Sequence, residues 1–337
     1  MTIKDIARLS GYSVGTVSRV LNNHPDVSAA TRERVLAVVQ EQNFQPNSNA
    51  RHLKMRGKSA VAVLVKGSQN MLFADILERI QSLLRDDGEE AFVCYLDEDA
   101  NEVAYAVQVC RERRPKGLIF LGGDLEFFQK DFARIAVPSV LLTNSAQSLS
   151  FPNLSSFTTD DFTAAGQVVD FLVSQGHRHL GVLGGNLSNA QISSRRIQGC
   201  QARLAAYRLP FDQELQYEPC RYSMAAGYHA AMRLLRRDPA LTAIFALGDV
   251  IALGAMRAIY DLGLRIPENI SLVGYDGIAT SRYSVPRLTT IQQDTQELAS
   301  RGVKALLRRI RREGPPVHEI IPFQLIAGES VLRLGTH

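Results

Sequence analysis

From residue 60 onward the chain alternates short apolar runs with longer stretches of helical periodicity. The runs at 60–65, 91–96, 117–121, 139–142, 179–183, 243–247 and 271–275 predict strands. Between them, 73–84, 163–173, 225–235 and 250–262 repeat apolar positions at helical spacing and predict helices. Strands too apolar to present a face to water belong in parallel sheets covered by helices on both sides. The length of this stretch allows two such lobes. Doubly wound sheets bind small molecules outside the carboxyl ends of their strands, which points to a ligand cleft there.

The first 59 residues follow another pattern. Thr2-Ile3-Lys4-Asp5 is a capping-box variant, followed by an apolar face of Ile6, Ala7 and Leu9. Ser10-Gly11-Tyr12 breaks that helix, and Ser13 caps a second one, Val14 to Leu21. Val17, Val20 and Leu21 face inward, leaving Val14, Gly15, Ser18 and Arg19 on the other side. Two short helices around a glycine-containing turn form a helix-turn-helix, whose second helix enters the DNA major groove. A helical hairpin without a ligand is the plainer alternative. After a loop at 22–26, Ser28 can cap a third helix to about Asn43, with Val35, Val38 and Val39 inward. Residues 44–59 are polar and basic around a single Leu53, which is either a stray linker residue or a wedge for a minor-groove base step.

Charge sharpens the division. Residues 1–59 hold nine Lys/Arg against four Asp/Glu, a net +5, whereas the whole chain of 337 residues is only +4. A basic head on a neutral body suggests a polyanion partner for the head. Hydrophobic residues make up 45% and charged residues 21%, which excludes a wholly disordered chain. No apolar run approaches the roughly 18 residues of a spanning helix, and Lys4, Asp5, Arg8 and Arg19 leave no signal-peptide core. A cytoplasmic protein without membrane association is expected. Cys94, Cys110, Cys200 and Cys220 have no CxxC spacing and read as reduced thiols.

Three segments of the head, Thr2-Ile3-Lys4-Asp5-Ile6-Ala7, Ser13-x-x-Thr16-Val17-Ser18-Arg19-Val20-Leu21-Asn22 and Asn49-Ala50-Arg51-x-Leu53, resemble the head of the lactose-repressor/galactose-repressor (LacI/GalR) family. The likeness continues through Gly176-His177, Arg196-Ile197-Gln198-Gly199, Asp249-x-x-Ala252-x-Gly254-Ala255, Val273-Gly274-Tyr275-Asp276 and Pro286-x-Leu288-Thr289-Thr290-Ile291, nearly the whole chain. The resemblance implies a small all-α helix-turn-helix head (1–45), a hinge (46–59) and a body (60–337) of two doubly wound lobes like type I periplasmic binding proteins. The lobes would comprise about 60–158 with 291–321, and about 160–288 with 323–337. Three crossings are expected near 158–160, 288–291 and 321–323.

It further implies a transcriptional regulator, a repressor, acting as a homodimer or higher oligomer on a near-palindromic double-stranded DNA operator and controlled by a small molecule. DNA contacts are expected at Thr2, Ser13, Val14, Gly15, Thr16, Ser18, Arg19 and Asn22, and in the hinge at Asn49, Ala50, Arg51, Leu53 and Lys54. Effector contacts are expected at Phe73, Asp160, Arg196, Tyr222, Asp249 and Asp276.

Four of the six effector candidates have a plainer reading. Asp160 and Asp249 precede or begin helices and could simply cap them. Arg196 could be surface charge like Arg195, although its fork suits vicinal hydroxyls or a carboxylate. Tyr222 could pack between helices rather than stack on a ligand. Asp276 ends a strand, where functional acids of α/β folds sit. An acidic, arginine and aromatic lining suits a sugar or related polyol, with nucleobases left open. No Walker loop, no GxGxxG and no histidine metal spacing occurs, so neither an enzyme nor a cofactor is expected. The rival readings are a sugar-binding protein and a metabolic enzyme on a doubly wound fold.

Overall fold

The computed structural model describes residues 3–21, 27–41, 60–67, 69–186 and 192–335. The chain divides into two compact units, Met1–Lys58 and Ser59–His337.

The first unit contains α1 (Ile3–Ser10), α2 (Val14–Leu21) and α3 (Ala29–Glu41). Ile6, Ala7, Val17, Val20, Val35 and Val38 form its core, with Tyr12, Val27 and Val39 packed on the rim. Gly11 adopts φ +78 between α1 and α2, a left-handed conformation that glycine takes without strain. Leu9 departs from the predicted apolar face of α1: it is exposed, because the buried stripe of this short helix is set by Ile6 and Ala7.

The second unit contains two six-stranded sheets. The first is built from β1 (Val61–Lys66), β2 (Ala91–Leu96), β3 (Gly117–Leu121), β4 (Ser139–Leu142), β5 (Leu154–Thr159) and, from late in the chain, β11 (His318–Ile321). Its order is β11-β5-β4-β3-β1-β2, all parallel. The second sheet contains β6 (Leu180–Leu183), β7 (Tyr217–Glu218), β8 (Ala243–Ala246), β9 (Ser271–Asp276), β10 (Thr289–Gln293) and β12 (Phe323–Ile326). Its order is β12-β10-β9-β8-β6-β7, with only β12 antiparallel.

Helices cover both faces of each sheet. The first lobe carries α4 (Met71–Asp86), α5 (Glu102–Arg113) and α6 (Leu125–Asp131); the second carries α7 (Asp161–Ser174), α8 (Ile192–Ala206), the single turn α9 (Gln213–Gln216), α10 (Met224–Arg237) and α11 (Asp249–Asp261). The last helix, α12 (Thr295–Ile310), returns to the first lobe and packs on α4 through Leu298, Val303 and Leu306. Each sheet therefore separates two apolar layers, the arrangement that buried parallel strands demand.

The chain crosses between lobes after β5, after β10 and between β11 and β12. The second crossing lies at Asp294, later than the 288–291 segment anticipated from sequence, so 291–293 belong to the second lobe. Residues 289–293 are held there by ladders to both β9 and β12. The sequence hid this strand because Thr289, Thr290 and Gln293 are polar yet buried, each with an internal hydrogen-bond partner.

Candidate functional site

In the head, Ser13 caps α2. Its Oγ accepts from the Thr16 amide at 3.1 Å and lies 3.0 Å from Thr16 Oγ1. With Val17 and Val20 committed to the core, Gly15 and Arg19 are turned to solvent, so α2 offers one face to a partner. The side chains of Val14 and Ser18, and all of Thr2, Asn22, Asn49, Ala50, Arg51, Leu53 and Lys54, lie outside the described residues.

In the body, a cavity of about 80 Å³ opens between the lobes at the carboxyl ends of the strands. Lys66, Asn70, Phe73, Glu98, Thr143 and Asn144 line it from the first lobe, and Ile192, Arg196, Tyr222 and Asp276 from the second. Four of the six sequence-predicted effector residues thus converge: Phe73, Arg196, Tyr222 and Asp276.

Arg196 is placed by glycine. A Cβ at Gly199, one turn along α8, would collide with the Phe162 carbonyl of α7, so the spacing Arg-x-x-Gly brings the two helices together. Arg196 is thereby buried beside the first turn of α7. Its Nε donates to Asp161 Oδ1 at 2.6 Å and its Nη1 to the Leu247 carbonyl at 2.5 Å. The guanidinium lies 3.6 Å from the Tyr275 ring centroid, and Tyr275 Oη donates to the same Asp161 oxygen at 2.8 Å. Only Nη2, 3.8 Å from Asp276 Oδ1, faces the cleft carboxylate. Most of the fork is therefore spent inside the protein. Burial pushes the Asp161 carboxyl up, opposed by Arg196 and by the Tyr275 hydroxyl.

Asp276 ends β9 with φ +110, a conformation unusual for a residue with a side chain and often found where geometry serves function. Gln293 Nε2 donates to its Oδ1 at 2.8 Å. Burial raises the Asp276 carboxyl to about 6, against the lowering pull of Arg196 and Gln293. Tyr222 lies against Gly248, where a Cβ would stand 3.0 Å from the ring; glycine here gives the tyrosine its place. The Tyr222 hydroxyl is buried and has no hydrogen-bond partner among the described residues. An unsatisfied buried hydroxyl is costly, and such groups commonly mark function.

Two sequence-predicted residues do not reach this cavity. Asp160 is the N-cap of α7: its carboxylate accepts from the Thr163 amide and hydroxyl at 3.2 and 2.7 Å, and it borders a neighbouring groove instead. Its neighbour Asp161 is the acid that supports Arg196. Asp249 is fully buried at the start of α11, where it accepts from Thr290 Oγ1 at 2.6 Å and the Ile278 amide at 2.9 Å. Burial, with Asp276 nearby, holds its carboxyl far above the ordinary range. Asp160 does the capping its position allowed, whereas Asp249 makes no cap hydrogen bond and instead ties the start of α11 to Thr290 and Ile278.

The sequence reading missed Lys66, Asn70, Glu98, Thr143 and Asn144. Their shared signal was available: each lies on or just beyond the carboxyl end of a first-lobe strand. Lys66 is neutralised by Glu102 at 2.7 Å, and Glu102 is fixed by the Asp124 amide at 2.6 Å. Among the described residues no cluster of His, Cys, Asp and Glu is arranged to hold a metal. No helix among them is long and apolar enough to cross a membrane.

Residues 2–47 match the family described as bacterial regulatory proteins, lacI family, and residues 169–331 match a periplasmic binding protein-like domain. The HTH-type transcriptional regulator MalR of Clostridium butyricum is 35% identical over 99% of this chain and 100% of its own. The Lac repressor dimer bound to operator and an anti-inducer superposes with a TM-score of 0.70 at 29% identity, covering 98% of this chain and 99% of that one. A LacI-family regulator of Enterococcus faecium with bound ribose superposes with a TM-score of 0.71 at 27% identity, covering 82% and 100%. The chain belongs to the lacI family of bacterial regulatory proteins: it is a DNA-binding transcriptional regulator with a helix-turn-helix head and an effector-binding, periplasmic-binding-protein-like body.

Proposed function

We propose that this regulator is a cytoplasmic repressor switched by a neutral, polyhydroxylated effector of the sugar class, bound between the lobes by Phe73, Tyr222, Asp276 and the free edge of Arg196. The observation that carries this reading is the pairing in one cleft of an aromatic wall with the Asp276 carboxylate and a buried Tyr222 hydroxyl that has no partner among the described residues. Aromatic faces cover the apolar side of a sugar ring, while carboxylates and amides accept from its hydroxyls. The Arg196 charge is answered by Asp161, and the Lys66 charge by Glu102, so little positive field is left for an anion. The ribose bound to the Enterococcus faecium regulator is of the class proposed.

The head is proposed to bind a near-palindromic operator as part of a homodimer, with Arg19 reading a base edge and the other named head and hinge residues on DNA. One head buries too little surface for tight specific binding, and two-fold symmetry in the protein asks for two-fold symmetry in the site. The body acts by binding without turnover.

Calorimetry with neutral sugars, their phosphates and purine bases tests the effector class, with operator binding followed by anisotropy in the same samples. A neutral sugar that binds, changes operator affinity and is recovered unchanged supports the reading. Selective binding of a purine or a sugar phosphate overturns the class, and recovery of a converted product overturns binding without turnover. Arg19→Ala should cost about 1–3 kcal/mol of operator affinity and relax preference at one base position. Unchanged site preference in that variant removes Arg19 from base reading.

A further inference from the structure

At the mouth of the cleft one cation crosses from the second lobe into a row of acids on the first. Arg221 follows β7, and its Nη2 lies 2.6 Å from Asp97 Oδ1, its Nε 3.6 Å from Glu98 Oε2 and its Nη1 3.5 Å from Asp99 Oδ2. The acids follow β2, on the opposite sheet. Beside them the backbone amide of Tyr222 donates to Glu98 Oε2 at 3.1 Å. Glu98 and Tyr222 also line the effector cavity, so this bridge closes over the site itself.

The cavity beneath is small. Its volume of about 80 Å³ is well below the roughly 300–1,000 Å³ of ordinary ligand pockets. A sugar ring can enter only if the mouth opens. The groups that would have to part are the Arg221 ion pairs and the bond from the Tyr222 amide.

We propose that Arg221, clasped by Asp97, Glu98 and Asp99, is an electrostatic latch that holds the two lobes of the regulator closed and sets how readily the cleft opens to its ligand. Exposed ion pairs are individually weak, and salt screens them. Three acids on one guanidinium, next to a partly buried amide bond, form a network, and a weak network suits a latch that must open often. Ionic strength then biases the equilibrium between closed and open lobes. Effector affinity would be lowered by whatever fraction of molecules is latched shut. The inference rests on reading the cleft as the effector site. Its test needs no effector, so the latch and the effector class stand or fall separately.

The test is hydrogen–deuterium exchange on the full-length, effector-free protein, followed in peptides spanning 217–224 and 97–101. The Tyr222 amide is bonded across the cleft, so its exchange reports opening directly. Arg221→Ala should speed exchange there by roughly threefold to fivefold, the range that exposed ion pairs support. Raising salt from about 50 mM to about 500 mM should speed it in the parent but hardly in the variant, since the Debye length contracts from roughly 14 Å to roughly 4 Å. Asp97→Asn with Asp99→Asn should act like Arg221→Ala while leaving the arginine in place. Equal exchange in parent and Arg221→Ala overturns the latch. So does faster exchange that keeps the parent's salt dependence, which would mark a packing defect instead of a lost ion pair.

Discussion

The Thr159 hydroxyl donates a 2.9 Å hydrogen bond to Gln293 Oε1, joining the last residue of β5 to the last residue of β10 where the chain passes between the lobes. The other end of the same Gln293 amide donates to Asp276 in the cleft. One buried side chain therefore ties two crossings to the carboxylate proposed to meet the effector. Gln293→Leu strands the Thr159 hydroxyl and an Asp276 oxygen. It should cost about 1–3 kcal/mol, the price of unsatisfied buried polar groups. Urea denaturation of the effector-free protein measures the loss, and a loss below about 0.5 kcal/mol would show that water serves those groups equally well.

Arg196 is held mainly by partners inside the protein. Arg196→Met leaves Asp161 buried with the Tyr275 hydroxyl as its remaining side-chain partner among the described residues. Breaking one side of a buried pair costs about 3–5 kcal/mol. Adding Asp161→Leu should recover much of that loss, because the uncompensated charge disappears with its partner. Denaturation midpoints of the single and double variants decide it; a double variant no more stable than the single would show that the Asp161 charge is not the source of the damage.

Asp276 makes stability depend on pH in a definite direction. Its native carboxyl titrates at about 6, above the ordinary 3.8, so the folded state holds the proton more tightly than the unfolded one. This contribution to stability is fully present below pH 3.8 and is lost as pH rises through 6. Asp276→Asn abolishes that slope. Its stability relative to the parent should rise between about pH 4 and pH 6, by on the order of 3 kcal/mol. Thermal melts of both proteins across that window check the sign; a relative stability that falls with pH would refute it. The ionised carboxylate is the better acceptor for hydroxyls, so effector affinity in the parent should weaken below about pH 6.

The Tyr222 hydroxyl offers a cleaner separation of folding from binding. It has no partner among the described residues, so its removal breaks no hydrogen bond to them. Tyr222→Phe should leave stability unchanged or raise it by about 1 kcal/mol, while effector affinity falls by about 0.5–1.5 kcal/mol. Paired melting and calorimetry give both numbers, and intact effector affinity would leave the hydroxyl without a ligand role.

Much of the architecture was legible in the residue pattern. Seven strands announced themselves as apolar runs because a parallel strand buried on both faces has no use for polar side chains. The strands that escaped are β5, β7, β10, β11 and β12. In β5, Ser155, Ser156, Thr158 and Thr159 are buried, which no hydropathy pattern reveals. Ser155 accepts from the Val317 amide, and Ser156 is bonded to His318 and the Ala146 amide; these partners lie far off in sequence or come from a loop. β7 has only two residues, and β12 is a half-exposed edge.

The sequence by itself determined the split into a basic helical head and an α/β body, the turn of the helix-turn-helix and the place of Asp276 at a strand end. Those follow from local periodicity, from glycine at a left-handed turn and from acids at strand ends. Tertiary structure alone decided between adjacent acids: Asp160 caps a helix while Asp161 holds Arg196, because α7 begins between them and turns their side chains apart. It also withdrew Asp249 into the core and brought Glu98 opposite Tyr222 from 124 positions away. The physical reason is that hydrogen-bond satisfaction of a buried charge depends on which groups surround it in space, and spacing along a chain carries no record of that.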